Sequence, residues 1–447
     1  MSARPGGRRI APRTLALAGA AWLLAAVFLL PYLVMTLTAL RPADELRDAT
    51  YLPRHFAWSN FIDVWRESTL GGNLKVTLLV AGGSTVLAAR GLRTDRRIGQ
   101  VADGPRSRPP PASLPTPSPS LPLARGARRM TSRTPSQTSA EIASQPECWR
   151  RAADALPRHT GALPRRGERV AVVGCGTSWF MAQAYAVLRE SGGHGVTDAF
   201  AASEFPPGRD YDRILAVSRS GTTTEVLDLL GLARTAGIPT TAVTADPATP
   251  VMALADAVAV LDFADERSVV QTRFATSVLA LLRAHLEAEG ARPDGVHPLD
   301  RAVRDAGRAV TQPLPAGLRD AEQFTFLGRG WTHGLALEAG LKMREAAGAW
   351  TEAYPAMEYR HGPISIAEPG RATWVFGPAP AGLAEDIART GALLVTGSGS
   401  ADDDLDPLAD LVRAQRLAVE VAEARGCDPD RPRHLTRSVV LAEQQRG

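Results

Sequence analysis

From about residue 142 onward, short apolar runs alternate with longer stretches in which apolar residues recur at helical spacing. Arg169-Val170-Ala171-Val172-Val173 reads as a buried strand that runs into Gly174-Cys175-Gly176-Thr177-Ser178, with a helix predicted from Trp179 to about Arg189. A short strand is expected near Phe200. Ile214-Leu215-Ala216-Val217 forms the next, followed by a turn through Ser218-Arg219-Ser220-Gly221-Thr222-Thr223-Thr224-Glu225. A helix carrying Val226, Leu227, Leu229, Leu230 and Leu232 comes after it. Thr240 to Thr244 and Ala257 to Leu261 add strands, and a long apolar helix is predicted from Thr272 to Glu289. The theme restarts at Phe324-Thr325-Phe326-Leu327. That run ends in Gly328-Arg329-Gly330 and a helix through Leu335, Leu337 and Leu341 to Ala346; strands follow at 373–376 and 392–395. Strands alternating with helices predict an α/β fold of two doubly wound, parallel-sheet units in tandem, covered on both faces. Ligands in such sheets bind at the carboxyl ends of the strands, where all three Gly/Ser-rich loops fall.

The first ninety residues follow another pattern. Leu15 to Leu40 is almost wholly apolar and long enough to span a bilayer. Arg4, Arg8, Arg9 and Arg13 precede it and place the N-terminus in the cytoplasm. A signal peptide fits less well, because the run is too long and no small-x-small cleavage site follows before Arg41. Val76 to Ala89 is a shorter, candidate second span. Residues 91–138, rich in Pro, Ser and Arg, are expected to be a disordered linker. Within it Met130 opens a run that reads like a natural N-terminus, which suggests two neighbouring genes joined. The expected division is 1–90, 91–138, 139–305 and 306–447.

The turn at 218–225 carries the clearest chemistry. Backbone N–H groups at a helix N-terminus point outward, and the dipole there favours negative charge. Ser218, Ser220, Thr222 and Thr223 can add donors, and Arg219 can add charge. The competing reading is an ordinary capping turn, since Ser and Thr are standard N-caps. The density of hydroxyls favours an anion site. A dinucleotide fingerprint would want a glycine at Trp179, and no nucleotide P-loop motif occurs.

Composition narrows the choices. The chain has 447 residues, 45% hydrophobic and 22% charged, with a net charge of +4, so nucleic acid is not implied. Three cysteines, Cys148, Cys175 and Cys427, give neither a disulfide framework nor a zinc spacing. The basic residues are nearly all arginine; Lys75 and Lys342 are the only lysines among 51 Lys+Arg. Lys342 lies between Glu338 and Glu345 at helical spacing, so the three share one face. Two carboxylates and a lysine there would tune one another's proton affinities, or would form an ordinary solvated charge network.

Taken together, these motifs resemble a family. Gly174-Cys175-Gly176-Thr177-Ser178, Ser218-x-Ser220-Gly221-x-Thr223, Glu266-x-x-Val269, Gly328-Arg329-Gly330 and Ala336-Leu337-Glu338 resemble the sugar isomerase (SIS) fold. So do Lys342-x-x-Glu345, His361-Gly362-Pro363 and the stretch Pro432 to Val439. Residues 139–447 are similar to the isomerase half of glucosamine-6-phosphate synthase, and closer to stand-alone amino-sugar-phosphate deaminase/isomerases. The resemblance implies that Thr177, Ser178, Ser218, Arg219, Ser220 and Thr223 hold a sugar phosphate. It implies further that Glu266, Val269, Gln271 and Arg437 line the substrate. Glu345 becomes the base that moves a proton between C1 and C2, with Lys342 and Glu338 beside it. His361 becomes the ring-opening group, contributed across a homodimer interface. Neither metal nor organic cofactor is expected. Residues 1–90 resemble the start of a carbohydrate ABC transporter permease, with later spans and the coupling loop absent.

The chain departs from the synthase in two places. The synthase lysine that forms an imine aligns with Arg437, which stays protonated. Its Ser-Thr-Lys motif becomes Gln271-Thr272-Arg273. Glutamine-dependent synthesis is therefore disfavoured. The expected function is isomerisation or deamination of a hexosamine-6-phosphate-type sugar. Dehydration of an N-acetylhexosamine phosphate and a non-catalytic sugar-phosphate-binding regulatory module are the alternatives. The SIS half is expected in the cytoplasm, with membrane anchoring through 15–40 if the whole chain is expressed.

Overall fold

A computed structural model describes residues 40, 56–59, 135–397 and 403–441. The chain divides into two compact units, Met1–Arg125 and Gly126–Gly447. In the first, the backbone N–H of Ala57 donates to the Leu40 carbonyl at 2.8 Å. The expected spans at 15–40 and 76–89, apart from Leu40, and the Met130 start lie outside the described residues. Among the described residues no helix is long and apolar enough to cross a membrane.

The second unit opens with helices α1 (Gln137–Ala143) and α2 (Gln145–His159), followed by β1 (Val170–Gly174), α3 (Thr177–Ser191), β2 (Thr197–Ala201) and β3 (Arg213–Val217). It continues with α4 (Thr224–Thr235), β4 (Thr240–Thr244), α5 (Val251–Leu254), β5 (Ala257–Val260), α6 (Arg273–Ala288) and α7 (Leu299–Thr311). Then come β6 (Gln323–Gly328), α8 (Thr332–Ala347), β7 (Trp350–Pro355), β8 (Arg371–Phe376), α9 (Leu383–Thr390), β9 (Leu393–Val395) and α10 (Pro407–Ala424). Two parallel sheets result, ordered β2-β1-β3-β4-β5 and β7-β6-β8-β9. The α/β class expected from the alternating pattern is what the unit shows.

Two expected boundaries shift. The linker predicted to reach residue 138 ends earlier, because Ser136 caps α1 and accepts from the Ser139 N–H. The Asp430 carboxylate also takes the N–H groups of Gln137 and Thr138, at 2.9 and 2.8 Å. The first helical turn is therefore fixed by a residue almost three hundred positions away, which local composition does not reveal. The expected division at 305/306 falls inside the unbroken helix α7.

Alternation within the strands explains the layers. In β1, Val170 and Val172 face one core while Ala171 and Val173 face another. In β6, Phe324 and Phe326 join the same core as Val170, and Leu327 turns to a third. The inner faces of both sheets thus share one continuous core with α2, α3, α6, α8 and α10. Within it α3 and α8 cross closely at Gly334. A Cβ there would stand 2.4 Å from the Phe180 carbonyl oxygen, so only glycine lets the backbones approach. The buried Arg283–Asp406 pair, bidentate at 2.9 Å, ties α6 to the N-cap of α10.

Candidate functional site

Thr177 and Ser178 open α3, immediately beyond the carboxyl end of β1, and both are buried. Ser218, Arg219 and Ser220 follow β3 and are buried as well. The two loops lie at neighbouring strand ends, since Gly174 pairs with Val217. Gly221 makes the turn between them and α4 with φ +62, and a Cβ there would meet Thr249 Oγ1 at 2.1 Å.

The capping alternative fails on geometry. Neither α3 nor α4 receives a side-chain hydrogen bond from its N-cap residue, Gly176 or Thr223. The hydroxyls are instead arranged among themselves. Ser218 Oγ lies 3.4 Å from Thr223 Oγ1 and accepts from the Gly221 N–H at 3.2 Å. Ser220 Oγ accepts from the Thr222 hydroxyl at 3.0 Å. Such hydroxyls keep donor capacity for an added anion.

Arg219 does not follow its expectation of facing the anion. Its guanidinium reaches Glu266 at 3.5 Å, the Ser268 carbonyl at 3.2 Å, the Val269 carbonyl at 3.4 Å and the Arg437 carbonyl at 2.9 Å. Arg219 is a clamp behind the loop. Glu266, expected to line the substrate, is likewise structural. One of its oxygens accepts from Thr272 N (2.5 Å), Thr272 Oγ1 (2.8 Å) and Arg273 N (2.7 Å), which closes the start of α6. Burial pushes its carboxyl upward and Arg219 pulls it back. Gln271 is different, because its buried Nε2 has no hydrogen-bond partner.

The triad on α8 comes together as its spacing predicts. Lys342 is fully buried; its ammonium donates to Glu345 Oε2 at 2.5 Å and to Thr177 Oγ1 at 2.9 Å, and sits 3.5 Å from Glu338 Oε1. The solvated-network reading is thereby excluded. Burial pushes the Glu338 carboxyl up to about 8, more than the neighbouring ammonium offsets. Burial alone would lower the Lys342 ammonium, but Glu338, Glu345 and the hydrogen bond that the ammonium donates to Glu345 together raise it above its ordinary value. The cluster thus joins a carboxyl raised by burial, an ammonium raised by its acidic neighbours, and Glu345 as that ammonium's nearest acidic side chain. The Lys342–Thr177 bond joins the second sheet's helix α8 to the start of α3, at the carboxyl end of β1. Its one advance sign in the sequence was a lysine in a chain that otherwise uses arginine.

His361 is exposed at the end of a 3-10 turn, Glu358–His361, whose Tyr359 is buried, and no hydrogen bond links it to Glu338, Lys342 or Glu345. Arg437 lies in a tail that folds over the loop at 218–224. Its guanidinium donates to the Glu266 carbonyl and to Asp265 Oδ1. Ser438 Oγ meets Thr222 Oγ1 at 3.0 Å, and the Val439 carbonyl accepts from the Thr224 N–H at 3.2 Å. Sequence reasoning gave Thr222 and Thr224 no such role. Their partners lie more than two hundred residues downstream.

Comparison with known proteins agrees with this geometry. Residues 165–288 match the SIS domain family. The chain is 30% identical over 308 residues to the isomerizing glutamine–fructose-6-phosphate aminotransferase of Methanothermobacter thermautotrophicus, covering 61% of this chain and 52% of that protein. It is 31% identical over 313 residues, with the same coverage, to the corresponding aminotransferase of Pyrobaculum aerophilum. The chain thus spans about half the length of the curated relatives it matches. Among solved structures it resembles the glucosamine-6-phosphate deaminase of Thermotoga maritima, with TM-score 0.60 and 23% identity over 68% of this chain and 100% of that one. The C-terminal domain of the glucosamine-fructose-6-phosphate aminotransferase of Francisella tularensis gives 0.56 and 19%, over 67% and 99%. At these identities the structures speak for the fold. Residues 165–288 thus match the SIS domain family, and the aminotransferases are relatives of about 61% of the chain.

Proposed function

We propose that residues 135–441 form a sugar-phosphate isomerase/deaminase acting on a hexosamine 6-phosphate. The observation that carries the reading is the Lys342 ammonium, bonded at once to Thr177 of the anion loop and to Glu345. Thr177 accepts from the ammonium, which leaves its own proton for a phosphate oxygen or for the Glu338 carboxyl beside it. Ser178, Ser218, Ser220 and Thr223 supply the remaining donors. A phosphate held there sits one hydroxyl and one ammonium away from the carboxylate that does the chemistry.

With the ring opened by His361 of a second copy, C1 is an aldehyde and C2 carries the amine. Glu345 takes the C2 proton, and the C2–H electron pair forms the enediol-type double bond to C1. Lys342 stabilises the negative charge that develops on O1. Return of the proton to C1 leaves an imine at C2. Water adds there, and ammonia leaves to give the ketose. Protonated Glu338 holds a proton beside Lys342 without adding charge. Arg437 anchors the tail and forms no imine, which disfavours glutamine-dependent synthesis. The two doubly wound units pair as one catalytic body, the first providing the anion loops and the second the base helix.

The test is incubation of the protein with glucosamine-, N-acetylglucosamine-, galactosamine- and fructose-6-phosphates, following ammonia, ketose and ultraviolet-absorbing products together. Glu345→Gln is expected to lower turnover by about 10³-fold, within the range for loss of a general base, while sugar-phosphate affinity stays within about twofold. An unchanged rate removes Glu345 from the mechanism. Ultraviolet-absorbing product without ammonia would favour dehydration instead.

A further inference from the structure

Arg219 holds the hydroxyl loop from behind, and both segments that grip it are fastened to helix α1. The first is the run from Asp265 to Thr272, ahead of α6. It presents the Glu266 carboxylate and the Ser268 and Val269 carbonyls to the guanidinium. The second is the tail, whose Arg437 carbonyl accepts from Arg219 at 2.9 Å. That tail leaves from Asp430, which takes the Gln137 and Thr138 N–H groups and the Thr138 hydroxyl. Among the described residues no hydrogen bond joins α1 itself to Ser218, Ser220 or Thr223.

Glu141 of α1 is the fastening for the first segment. It is buried, and its Oε1 accepts from the Arg267 N–H at 2.6 Å and from the Ser268 N–H at 3.4 Å. Its Oε2 takes the Ser268 hydroxyl, which also lies 2.9 Å from the Val270 carbonyl. A buried carboxylate is costly unless donors fill its oxygens. Here the donors come from two consecutive residues, the pair that leads into the carbonyls holding Arg219. Planar peptides pass the constraint on: with the N–H groups of Arg267 and Ser268 fixed, the Ser268 and Val269 carbonyls have few directions left. The far end of the run is braced from the same place. Ser144, the residue after α1, accepts from Arg273 Nη1 at 3.1 Å, and Arg273 Nε donates to the Asp265 carbonyl at 2.9 Å.

We propose that Glu141 is a positioning residue for the sugar-phosphate site, acting through residues 267–269 and Arg219 on the hydroxyl loop at 218–220. This role rests on the reading of that loop as the phosphate site. No hydrogen bond among the described residues runs from Glu141 or Arg219 to Glu345 on α8, so the effect falls on affinity and not on the proton-transfer step.

The test is calorimetric binding of glucosamine 6-phosphate and fructose 6-phosphate to the full chain, with steady-state kinetics and thermal unfolding on the same variants. Glu141→Ala should raise Kd and KM about tenfold while kcat stays within about threefold. Glu141→Gln should bring Kd back to within about threefold of the parent. Its amide oxygen accepts the same two N–H groups, and its amide nitrogen can donate to Ser268 Oγ. Ser268→Ala removes the hydroxyl arm alone and should raise Kd about fivefold, a second reading where Glu141→Ala does not fold. Thr332→Val, a change in the second sheet, should lower the melting temperature without moving Kd. The proposal is overturned if Glu141→Ala and Ser268→Ala both bind within about twofold of the parent. It is overturned too if kcat falls as much as affinity, if Glu141→Gln is no better than Glu141→Ala, or if Thr332→Val weakens binding equally. A parent chain that binds neither sugar phosphate refutes the phosphate reading of the loop and the role of Glu141 with it. A parent that binds, with affinity unchanged in the variants, refutes the role of Glu141 alone.

Discussion

The two sheets present the same turn to two different ends. β1 and β6 each run into a Gly-x-Gly loop, and each following helix begins with a threonine. Thr177 Oγ1 accepts from the Lys342 ammonium at 2.9 Å and so reaches the helix of the other sheet. Thr332 is spent within its own fold, since it accepts from the Arg329 N–H at 2.9 Å and lies 3.0 Å from the Phe376 carbonyl. One backbone arrangement thus turns a hydroxyl toward the other sheet's helix in one case and toward its own loop and strand in the other. What separates them is where the neighbouring carbonyls and cations stand, not the local sequence.

The sharpest way to break this contrast is to remove the cation that sets it. Lys342→Met should lower turnover by about 10²-fold or more, since the charge opposite the developing oxyanion is lost. Steady-state kinetics on the best sugar phosphate will show this, and a rate within a factor of three would refute it. Thr177→Val comes next. We expect KM to rise about tenfold, or about 1.4 kcal/mol, with little change in melting temperature. Its counterpart Thr332→Val should do the reverse, costing about 1–2 kcal/mol in denaturant unfolding with KM unmoved. If both valine variants behave alike, the two threonines are equivalent and the comparison collapses.

A further contrast concerns protons. Glu338 is raised to about 8 in the folded chain, so the native state binds the extra proton above the ordinary carboxylate range. Its contribution to stability is complete below about 4.5 and is lost as pH rises through about 8. Glu338→Gln mimics the protonated form and should flatten the decline in unfolding free energy between about pH 4.5 and about pH 8. His194 acts at the other end. Burial lowers it to about 4, so stability falls as pH drops from about 6.5 toward that value. An unaltered acid limb in His194→Gln would exclude it as the cause.

Most of the fold was legible because its strands are short apolar runs closed by glycine-rich turns. Helix α3 begins two residues earlier than its apolar pattern suggests, since Thr177 and Ser178 look like loop while forming the first helical turn. Edge strand β7 escaped notice. Trp350 is exposed, Glu352 interrupts the run, and pairing on one side alone leaves little hydrophobic periodicity. At the site, the α8 triad was readable because its members are local in sequence. The direction of Arg219 was not. Its partners lie 47 to 218 residues away, and no periodicity encodes an arginine turning backward. Glu266 misled for the same reason, because a buried carboxylate that closes a helix start looks, in sequence, like one that awaits a substrate.

The scarcity of lysine has a practical side. Lys342 is sealed in the interior, and Lys75 is the chain's only other lysine. Amine-directed reagents therefore find no reactive lysine within residues 135–441 of the native protein. Label appearing within those residues would report, without any substrate, that the interior around Lys342 has opened.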